Sequence, residues 1–216
     1  MFHVKHEIIR EEFKPEHVAG VHALWQANKQ NLSEYIDRLM WWNKRVNLIS
    51  RDVSRETITH HVEHSLVVTQ SKLFKESKLI IDSGTGGGLP GIPLAITYPS
   101  KHIMLNDIVS KKVMACKHMA TGIGLSNISS STVSIKKVDI PKGGVVVSKH
   151  AFKVNDLIDL LGEKPWTSIV LLKGGEEVEE ELEGINEPLS IKVVDLEKGF
   201  NHSFYEGKAM VEITKQ

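Results

Sequence analysis

The chain has 216 residues, of which 41% are apolar and 25% are charged. This length and composition are enough to bury a hydrophobic core, in one or two domains. Lys plus Arg and Asp plus Glu each number 27, so the net charge gives no sign of a nucleic-acid partner, and only local basic patches could reveal one.

Cysteine content and hydropathy indicate a cellular compartment. Cys116 is the single cysteine and cannot form an internal disulfide. It lies among apolar neighbours and is predicted to be a small buried residue. Neither an amino-terminal apolar run nor a long apolar segment suggests export or membrane insertion. We therefore expect a cytoplasmic protein without a membrane partner.

Residues 1–74 are predicted to form a helical region that packs on the rest of the chain. Apolar residues recur there at helical spacing, namely Leu32, Ile36, Leu39, Met40 and Val46. Asn31 and Glu34 resemble a capping pair for this helix. A second helix is predicted to begin near Ser54 and to place an apolar face inward, formed by Ile58, Val62 and Leu66.

From residue 79 onward, short apolar runs alternate with amphipathic segments. The predicted strands are residues 79–82, 102–107, 128–133, 145–148 and 168–172. The clearest helices between them are residues 92–98, 110–121 and 155–161, whereas residues 134–144 are too few for much of a helix. Strands and helices that alternate at this spacing predict a mostly parallel sheet with right-handed crossovers, covered on both faces.

The end of the chain follows a different pattern. Residues 190–196 and 208–214 alternate like strands, and a glycine-containing loop without a predicted helix joins them. They should pair as an antiparallel hairpin at the sheet edge. Parallel strands followed by such a pair favour a methyltransferase-type sheet over that of a dinucleotide dehydrogenase. We predict an α/β fold with a seven-stranded Rossmann-like domain over residues 75–216, preceded by the helical extension.

The loop after the first of these strands is the strongest functional signal. Residues 82–88 read Asp-Ser-Gly-Thr-Gly-Gly-Gly, and ligands of open parallel sheets bind beyond the carboxyl ends of the strands. Glycine permits close approach of a ligand to the backbone. Asp107 ends the second strand at the separation expected for a carboxylate that binds ribose hydroxyls. Loop and acid together predict a nucleoside pocket.

The loop has two other possible interpretations. It could be a tight connection without a ligand, although the matching Asp107 argues against this. A pyrophosphate cradle fits poorly, because Gly84, Gly86 and Gly88 are spaced by two whereas the dinucleotide pattern places its third glycine three residues after the second. A P-loop is excluded because no Gly-Lys-Ser/Thr follows.

Residues 82–96 resemble the cofactor loop of the bacterial 16S ribosomal RNA guanine-N7 methyltransferases, a family also called glucose-inhibited division protein B. Further segments stand in the family's order, namely residues 42–50, 61–66, 110–113, 155–157 and 172–175. The resemblance covers nearly the whole chain from about residue 31. It implies a class I methyltransferase fold, S-adenosylmethionine as methyl donor, and N7 of one guanine in 16S ribosomal RNA of the small ribosomal subunit as acceptor.

The resemblance also implies which residues bind the donor. They are Gly84, Gly86, Gly88, Leu89, Asp107, Ile135, Lys136 and Lys149. Ser134 and Lys136 stand where the family commonly has Arg and Glu, and Lys136 reverses a charge near the expected adenine edge. Lys149 stands where it commonly has Arg, which removes a planar bidentate donor. These departures predict a divergent member, weaker donor affinity or reduced activity on the same substrate.

RNA contact requires basic residues near the mouth of the pocket, because neutralising phosphates supplies much of the affinity. The candidates are Arg45, Arg51, His61, Lys111, Lys112 and Lys173. His61 is included because it lies in a segment that resembles the family. For Lys111 and Lys112 the alternative is a solvated helix face. Lys173 is followed by two glycines at a strand end, which suits an approach to phosphate.

Guanine N7 carries a lone pair and no proton, so it can attack the sulfonium methyl group without a general base. We therefore assign no catalytic side chain and expect catalysis by positioning. Metal-ligand spacing is absent from the sequence, and we expect a monomer without metal. Two rival functions stay open: a ligand-binding or ribosome-binding protein that kept the fold without activity, and a methyltransferase for a small molecule.

Overall fold

The computed structural model describes residues 6–50 and 52–216. Eight strands form one sheet in the order β1-β7-β8-β6-β5-β2-β3-β4. The strands are β1 (Glu7–Glu12), β2 (Leu79–Ser83), β3 (His102–Asn106), β4 (Ile128–Ser131), β5 (Val145–Lys149), β6 (Ser168–Gly174), β7 (Leu189–Asp195) and β8 (Lys208–Lys215).

Nine α-helices are found within the described residues, four of them before β2 and five after it. They are α1 (Pro15–Ala27), α2 (Lys29–Val46), α3 (Arg55–Leu66), α4 (Lys72–Glu76), α5 (Gly91–Thr97), α6 (Ser110–Gly122), α7 (Val154–Leu161), α8 (Val178–Glu181) and α9 (Glu197–Phe200). Between β4 and β5 the chain makes only a 3-10 turn, Ile135–Lys137, as the short spacing there predicts.

The central strands carry apolar side chains on both faces of the sheet. Ile80 and Val147 face a core that the first helices cover, whereas Ile81 and Val146 face the core beneath α7. Successive side chains of a strand point to opposite faces, so a run that is apolar throughout is buried on both sides. Strand β8 is antiparallel to both β6 and β7, which confirms the predicted α/β fold and its terminal antiparallel pair. The connection between them contains the short helix α9, which was not predicted, and β1 rather than the pair forms the sheet edge.

Strand β1 is the main departure from the sequence prediction, which assigned this region to helix. It extends the predicted seven strands to eight by pairing in parallel with β7. All six of its residues are exposed, and ion pairs hold it, including Arg10 to Glu179 at 2.6 Å and Glu11 to Lys192 at 2.9 Å. The segment is charged and has no apolar alternation, so the sequence gives no local signal for a strand. Its partner, β7, lies near the other end of the chain.

The helices of the amino-terminal region partly match the predictions. Helix α3 begins after Ser54, whose Oγ accepts a hydrogen bond from Thr57 N at 3.0 Å, as expected of a capping residue. The predicted cap at Asn31 is wrong, because α2 begins at Lys29 and Asn31 lies inside it. Glu34 instead accepts a hydrogen bond from Arg38 Nε at 3.0 Å, one turn further along the helix.

A shared hydrophobic core joins the amino-terminal helices to the sheet. Leu39 of α2 and Leu66 of α3 belong to the same buried cluster as Leu105 of β3 and Val147 of β5. The division into residues 1–74 and 75–216 stays a prediction. Cys116 is fully buried in this cluster, which confirms its predicted packing role.

Candidate functional site

A cavity of about 980 Å³ opens beyond the carboxyl ends of the central strands. Strand β2 lies between β3 and β5, so the chain reverses its direction of travel across the sheet at this point. Such topological switch points are the usual ligand sites of open parallel sheets. Four segments line the cavity: the approach to α3, the loop after β2, the residues after β3 and the residues after β5.

The loop after β2 is shaped by the buried carboxylate of Asp82. Thr85 Oγ1 donates a hydrogen bond to Asp82 Oδ2 at 2.5 Å, and Gly91 N donates to the same oxygen at 2.8 Å. Burial raises the pKa of Asp82 to about 7, against the opposing effect of these two hydrogen bonds. Asp82 therefore closes the loop onto the start of α5 and does not line the cavity.

Two glycines of this loop have different roles in the structure. Gly84 lines the cavity with a φ of +72°, and a Cβ there would lie 2.5 Å from Ala151 Cβ. A side chain at this position would therefore strain the backbone and collide with the opposite wall. Gly88 is turned away from the cavity, since its Cβ would meet Ile92 Cδ1 at 2.5 Å. Gly84, Gly86 and Leu89 line the cavity as the donor prediction requires.

Asp107 joins the loop to the next strand. Its Oδ2 accepts a hydrogen bond from Gly86 N at 3.0 Å and its Oδ1 accepts one from Val109 N at 2.9 Å. The carboxylate lines the cavity, and each oxygen keeps a second lone pair. Asp107 can therefore accept hydrogen bonds from vicinal hydroxyl groups while the backbone amides fix its orientation. Its assignment to the donor's ribose stays a prediction.

Besides Gly88, two further predicted donor contacts lie outside the lining of the cavity. Ile135 is buried in the core beneath α7, on the 3-10 turn after β4. Lys136 follows it with an exposed side chain. Among the described residues, Lys136 is not part of the cavity wall, so the charge reversal there does not change that wall. The donor-binding roles of both residues remain untested predictions.

Lys149 and His61 meet across the cavity, a pairing that the sequence did not reveal. Lys149 Nζ lies 2.8 Å from His61 Nδ1 and links the end of β5 to α3. Burial, reinforced by nearby Lys208, lowers the pKa of Lys149 to about 7. Burial, reinforced by Lys149, lowers the pKa of His61 to about 3, so His61 is neutral. Its Nδ1 accepts the hydrogen bond when Lys149 is protonated, because an ammonium group only donates.

Histidines continue behind this pair. His64 is fully buried, and burial holds its pKa well below its usual range. Its ring lies 5.8 Å from the ring of His150, whose own pKa burial lowers to about 4. His150 has a φ of +52° directly after Lys149, where the backbone turns at the mouth of the cavity. His61 and His150, which line the cavity, are therefore neutral at physiological pH.

The predicted RNA contacts fall into three groups. Lys112 and His61 line the cavity itself, whereas Arg45 and Lys111 line a neighbouring groove. Arg51 lies outside the described residues. RNA binding by each of these residues stays a prediction.

Lys173 forms the third group, because the structure places it inside the protein. Its side chain is 7% exposed, and Nζ forms an ion pair with Glu181 Oε2 at 2.5 Å. Glu181 Oε2 also accepts a hydrogen bond from Val154 N at 2.8 Å at the start of α7. An RNA contact would require Lys173 to leave this pair. Glu181 belongs to the acidic helix α8, and an acidic run by itself gives no signal of a buried ion pair.

Membrane and metal features are absent from the part of the chain that the structure describes. No helix in residues 6–50 or 52–216 combines the length and the hydropathy needed to cross a bilayer. Within the same residues, no three His, Cys, Asp or Glu side chains come together in a way that could hold a metal ion.

The sheet order, the antiparallel β8 and the glycine loop with its matching acid define a Rossmann-like methyltransferase fold. The magnesium protoporphyrin IX methyltransferase of Synechocystis PCC 6803, solved with bound SAM, has this fold. It superposes with a TM-score of 0.55 at 15% identity, over 88% of this chain and 97% of that chain.

The family is narrower than the fold. A family model described as GidB, rRNA small subunit methyltransferase G, matches residues 28–204, and the chain belongs to this family. The ribosomal RNA small subunit methyltransferase G of Chlorobium chlorochromatii is 36% identical over 70% of this chain and 67% of its own length. The protein of that name from Parabacteroides distasonis is 33% identical over 88% and 84%. The resemblance found in the sequence is confirmed.

Proposed function

We propose that this protein transfers the methyl group of S-adenosylmethionine to N7 of a guanine in 16S ribosomal RNA. The observation that carries the proposal is the cavity at the switch point, where Asp107 and the backbone of Gly84 and Gly86 face the same space. Membership of a family named for small-subunit ribosomal RNA methylation supports this choice of acceptor.

The residues present fit the donor. The cavity of about 980 Å³ is large enough for a nucleoside with an amino-acid arm. Asp107 would hold the ribose hydroxyls, and Gly84, Gly86 and Leu89 would let the remaining atoms approach the backbone. When bound, S-adenosylmethionine supplies an electrophilic methyl group on a sulfonium centre.

The chain's own groups orient the reactants and perform no proton transfer. Guanine N7 needs no base, so holding donor and acceptor in line is the main catalytic task, which can supply about 7–11 kcal/mol. A cationic side chain beside a sulfonium would repel it. Burial lowers the pKa of Lys149 to about 7, so above this pH its amine is mostly uncharged. An uncharged amine can still donate a hydrogen bond and does not repel the sulfonium.

A protein that keeps the fold without activity is the competing function. Three departures from the family pattern suggested it. Ser134 and Lys136 lie outside the cavity lining, and Lys149 keeps a nitrogen donor inside it. These positions favour an active enzyme.

Purified protein should transfer labelled methyl from S-adenosylmethionine to small ribosomal subunits from a strain that lacks the modification. Mapping of N7-methylated guanines, with free 16S ribosomal RNA tested beside the assembled subunit, identifies the acceptor. Donor binding without transfer to either substrate would support the inactive protein, and transfer to a small molecule alone would support the other rival.

Asp107→Ala is expected to weaken donor binding by about tenfold to a hundredfold, because hydrogen bonds to a charged group contribute about 1.5–3 kcal/mol. Isothermal titration calorimetry with S-adenosylmethionine measures the change. Asp139→Ala is the matched control, since Asp139 is an exposed acid outside the cavity lining. Asp107→Asn should lose less affinity, as it keeps one oxygen acceptor. Equal affinities for Asp107→Ala and Asp139→Ala would reject the ribose assignment.

A further inference from the structure

A second groove, of about 600 Å³, adjoins the donor cavity. The two share Asp52, Val53 and Val109 in their walls, so they form one continuous depression. The groove runs from this shared wall to the carboxyl-terminal turn of α2. Its other lining residues lie on α2, at Asn47 directly after α2, and in the first turns of α3 and α6, and none of them belongs to the proposed donor site.

The charges of the groove are unbalanced. Lys44, Arg45 and Lys111 line it, and Asp52 is the acid among its described lining residues. None of the three cations forms an ion pair with the residues that the structure describes. The chain as a whole carries equal numbers of acidic and basic residues, so this local excess is not a reflection of overall composition. Uncompensated cations that converge in a concave site favour an anionic ligand.

Arg45 is held in place at the edge of the groove. Its guanidinium carbon lies 3.5 Å from the centroid of the Trp41 ring, and Nη1 donates a hydrogen bond to Trp41 O at 2.8 Å. Trp41 is about half exposed, whereas Trp42 packs on His118 with ring centroids 5.4 Å apart. A fixed guanidinium gives an anion a defined position and loses little side-chain entropy on binding.

The wall next to the donor cavity is apolar and partly exposed. Val46 and Val53 contribute to it, and Val109 is 41% exposed. Ile108, which lines the donor cavity, is 72% exposed and lies next to Val109, so it extends the exposed apolar wall. Cations beside an exposed apolar wall suit a ligand that combines a negative charge with a flat apolar face. A nucleotide within an RNA strand has both.

We propose that the groove binds the nucleotide adjacent to the target guanosine, in a single-stranded segment. Its phosphate contacts Lys44, Arg45 and Lys111, and its base lies against Val46, Val53 and Val109. Continuity with the donor cavity lets one strand occupy both sites, with the target base pointing towards the methyl donor. The inference rests on the proposed function, which supplies the RNA, but it concerns different residues.

The test compares two triple variants in binding a fluorescent single-stranded RNA that contains guanine. The groove variant is Lys44→Ala, Arg45→Ala and Lys111→Ala. The matched control is Lys29→Ala, Lys78→Ala and Lys142→Ala. These three lysines are exposed, Lys78 and Lys142 precede the amino ends of β2 and β5, and Lys29 begins α2 at the end opposite Arg45. Fluorescence anisotropy is recorded over a range of salt concentrations.

The groove variant is expected to bind this RNA at least about tenfold more weakly at low salt. The slope of the logarithm of the binding constant against the logarithm of salt concentration should become shallower by about 0.7 for each phosphate that the protein no longer neutralises. The control variant should match the wild type in both respects. S-adenosylmethionine binding, measured by calorimetry, should be unchanged in the groove variant. An RNA whose neighbouring nucleotide is abasic should bind the wild type more weakly than the intact strand.

Unchanged RNA affinity and salt dependence in the groove variant would overturn the proposal. So would inorganic phosphate competing as strongly as the RNA, since the groove would then be a general anion site. A wild type that binds RNA through the groove but transfers no methyl group would contradict the proposed function and leave the groove assignment standing. If the groove variant transfers methyl groups with the KM of the wild type, the groove assignment is contradicted and the proposed function stands.

Discussion

Lys173→Ala is expected to lower the free energy of unfolding by about 3–5 kcal/mol, because it leaves the carboxylate of Glu181 buried without its counter-charge. The two side chains are 7% and 6% exposed, and Nζ lies 2.5 Å from Oε2. Urea denaturation, followed by circular dichroism, measures the change. Lys192→Ala is the matched control, because it breaks an exposed pair with Glu11 and should cost less than about 1 kcal/mol.

Replacing both partners separates the buried charge from the packing. Lys173→Met combined with Glu181→Gln leaves no ionised group from this pair in the interior, so it should recover a large part of the lost stability. The glutamine can still accept the hydrogen bond from Val154 N. A loss in Lys173→Ala no larger than in Lys192→Ala would show that the pair is not buried in solution.

The same pair connects stability to the donor cavity. Lys173 lies near the end of β6, Glu181 ends α8, and Val154 begins α7 shortly after residues 149–152, which line the cavity. The pair therefore anchors the start of α7, which follows the cavity-lining residues. In the sequence, Lys173 followed by two glycines suggested an approach to phosphate. In the structure, Lys173 instead forms a buried ion pair next to one wall of the cavity.

Local patterns predicted the parts of the fold that depend on neighbouring residues. Strands β2 to β6 are short runs bounded by turns, and α3 begins directly after Ser54, close to its predicted start. Strand β1 escaped prediction because parallel pairing with β7 and exposed ion pairs hold it, and neither produces an apolar period. The false cap at Asn31 shows the converse, since a plausible local signal lies within a longer helix.

The residues of the site likewise fall into those that local sequence patterns identified and those that depend on tertiary packing. The glycine loop and Asp107 were identifiable because both follow directly from strand ends, where the topology of a parallel sheet brings residues together. The contact between Lys149 and His61 was not, although each residue had been singled out separately. Their approach depends on how α3 packs over the end of β5, a tertiary arrangement that no spacing in the sequence encodes. Thr57 and Phe152, which also line the cavity, had no recognisable signal.

Lys149→Met is expected to remove a pH-dependent penalty on stability. Burial lowers the pKa of Lys149 from 10.5 to about 7 on folding. Between these two values the unfolded chain binds more protons than the folded one, so the wild type gains stability as pH rises from about 7 to about 10.5. Below pH 7 both states carry the proton and the penalty is constant and maximal. Methionine carries no charge, so the variant lacks this dependence.

Urea midpoints measured from about pH 6 to about pH 10 test this expectation. The free energy of unfolding of Lys149→Met minus that of the wild type should fall by roughly 4 kcal/mol across the window, a magnitude set by the pKa shift. The hydrogen bond to His61 is stronger when Lys149 is protonated, and this difference is already part of the folded-state pKa that sets the expected change. Lys149→Arg is the control, because arginine keeps its proton throughout and should show the penalty without the recovery at high pH.

The same ionisation should govern donor binding. A protonated Lys149 repels the sulfonium of S-adenosylmethionine, so donor affinity in the wild type should rise from about pH 6 to about pH 8, as the lysine loses its proton near pH 7. His61 does not contribute to this rise, because burial lowers its pKa to about 3 and it stays neutral throughout. Lys149→Met should bind the donor with little pH dependence over this range. A rise of the same size in wild type and variant would assign the titration to another group and reject this role for Lys149.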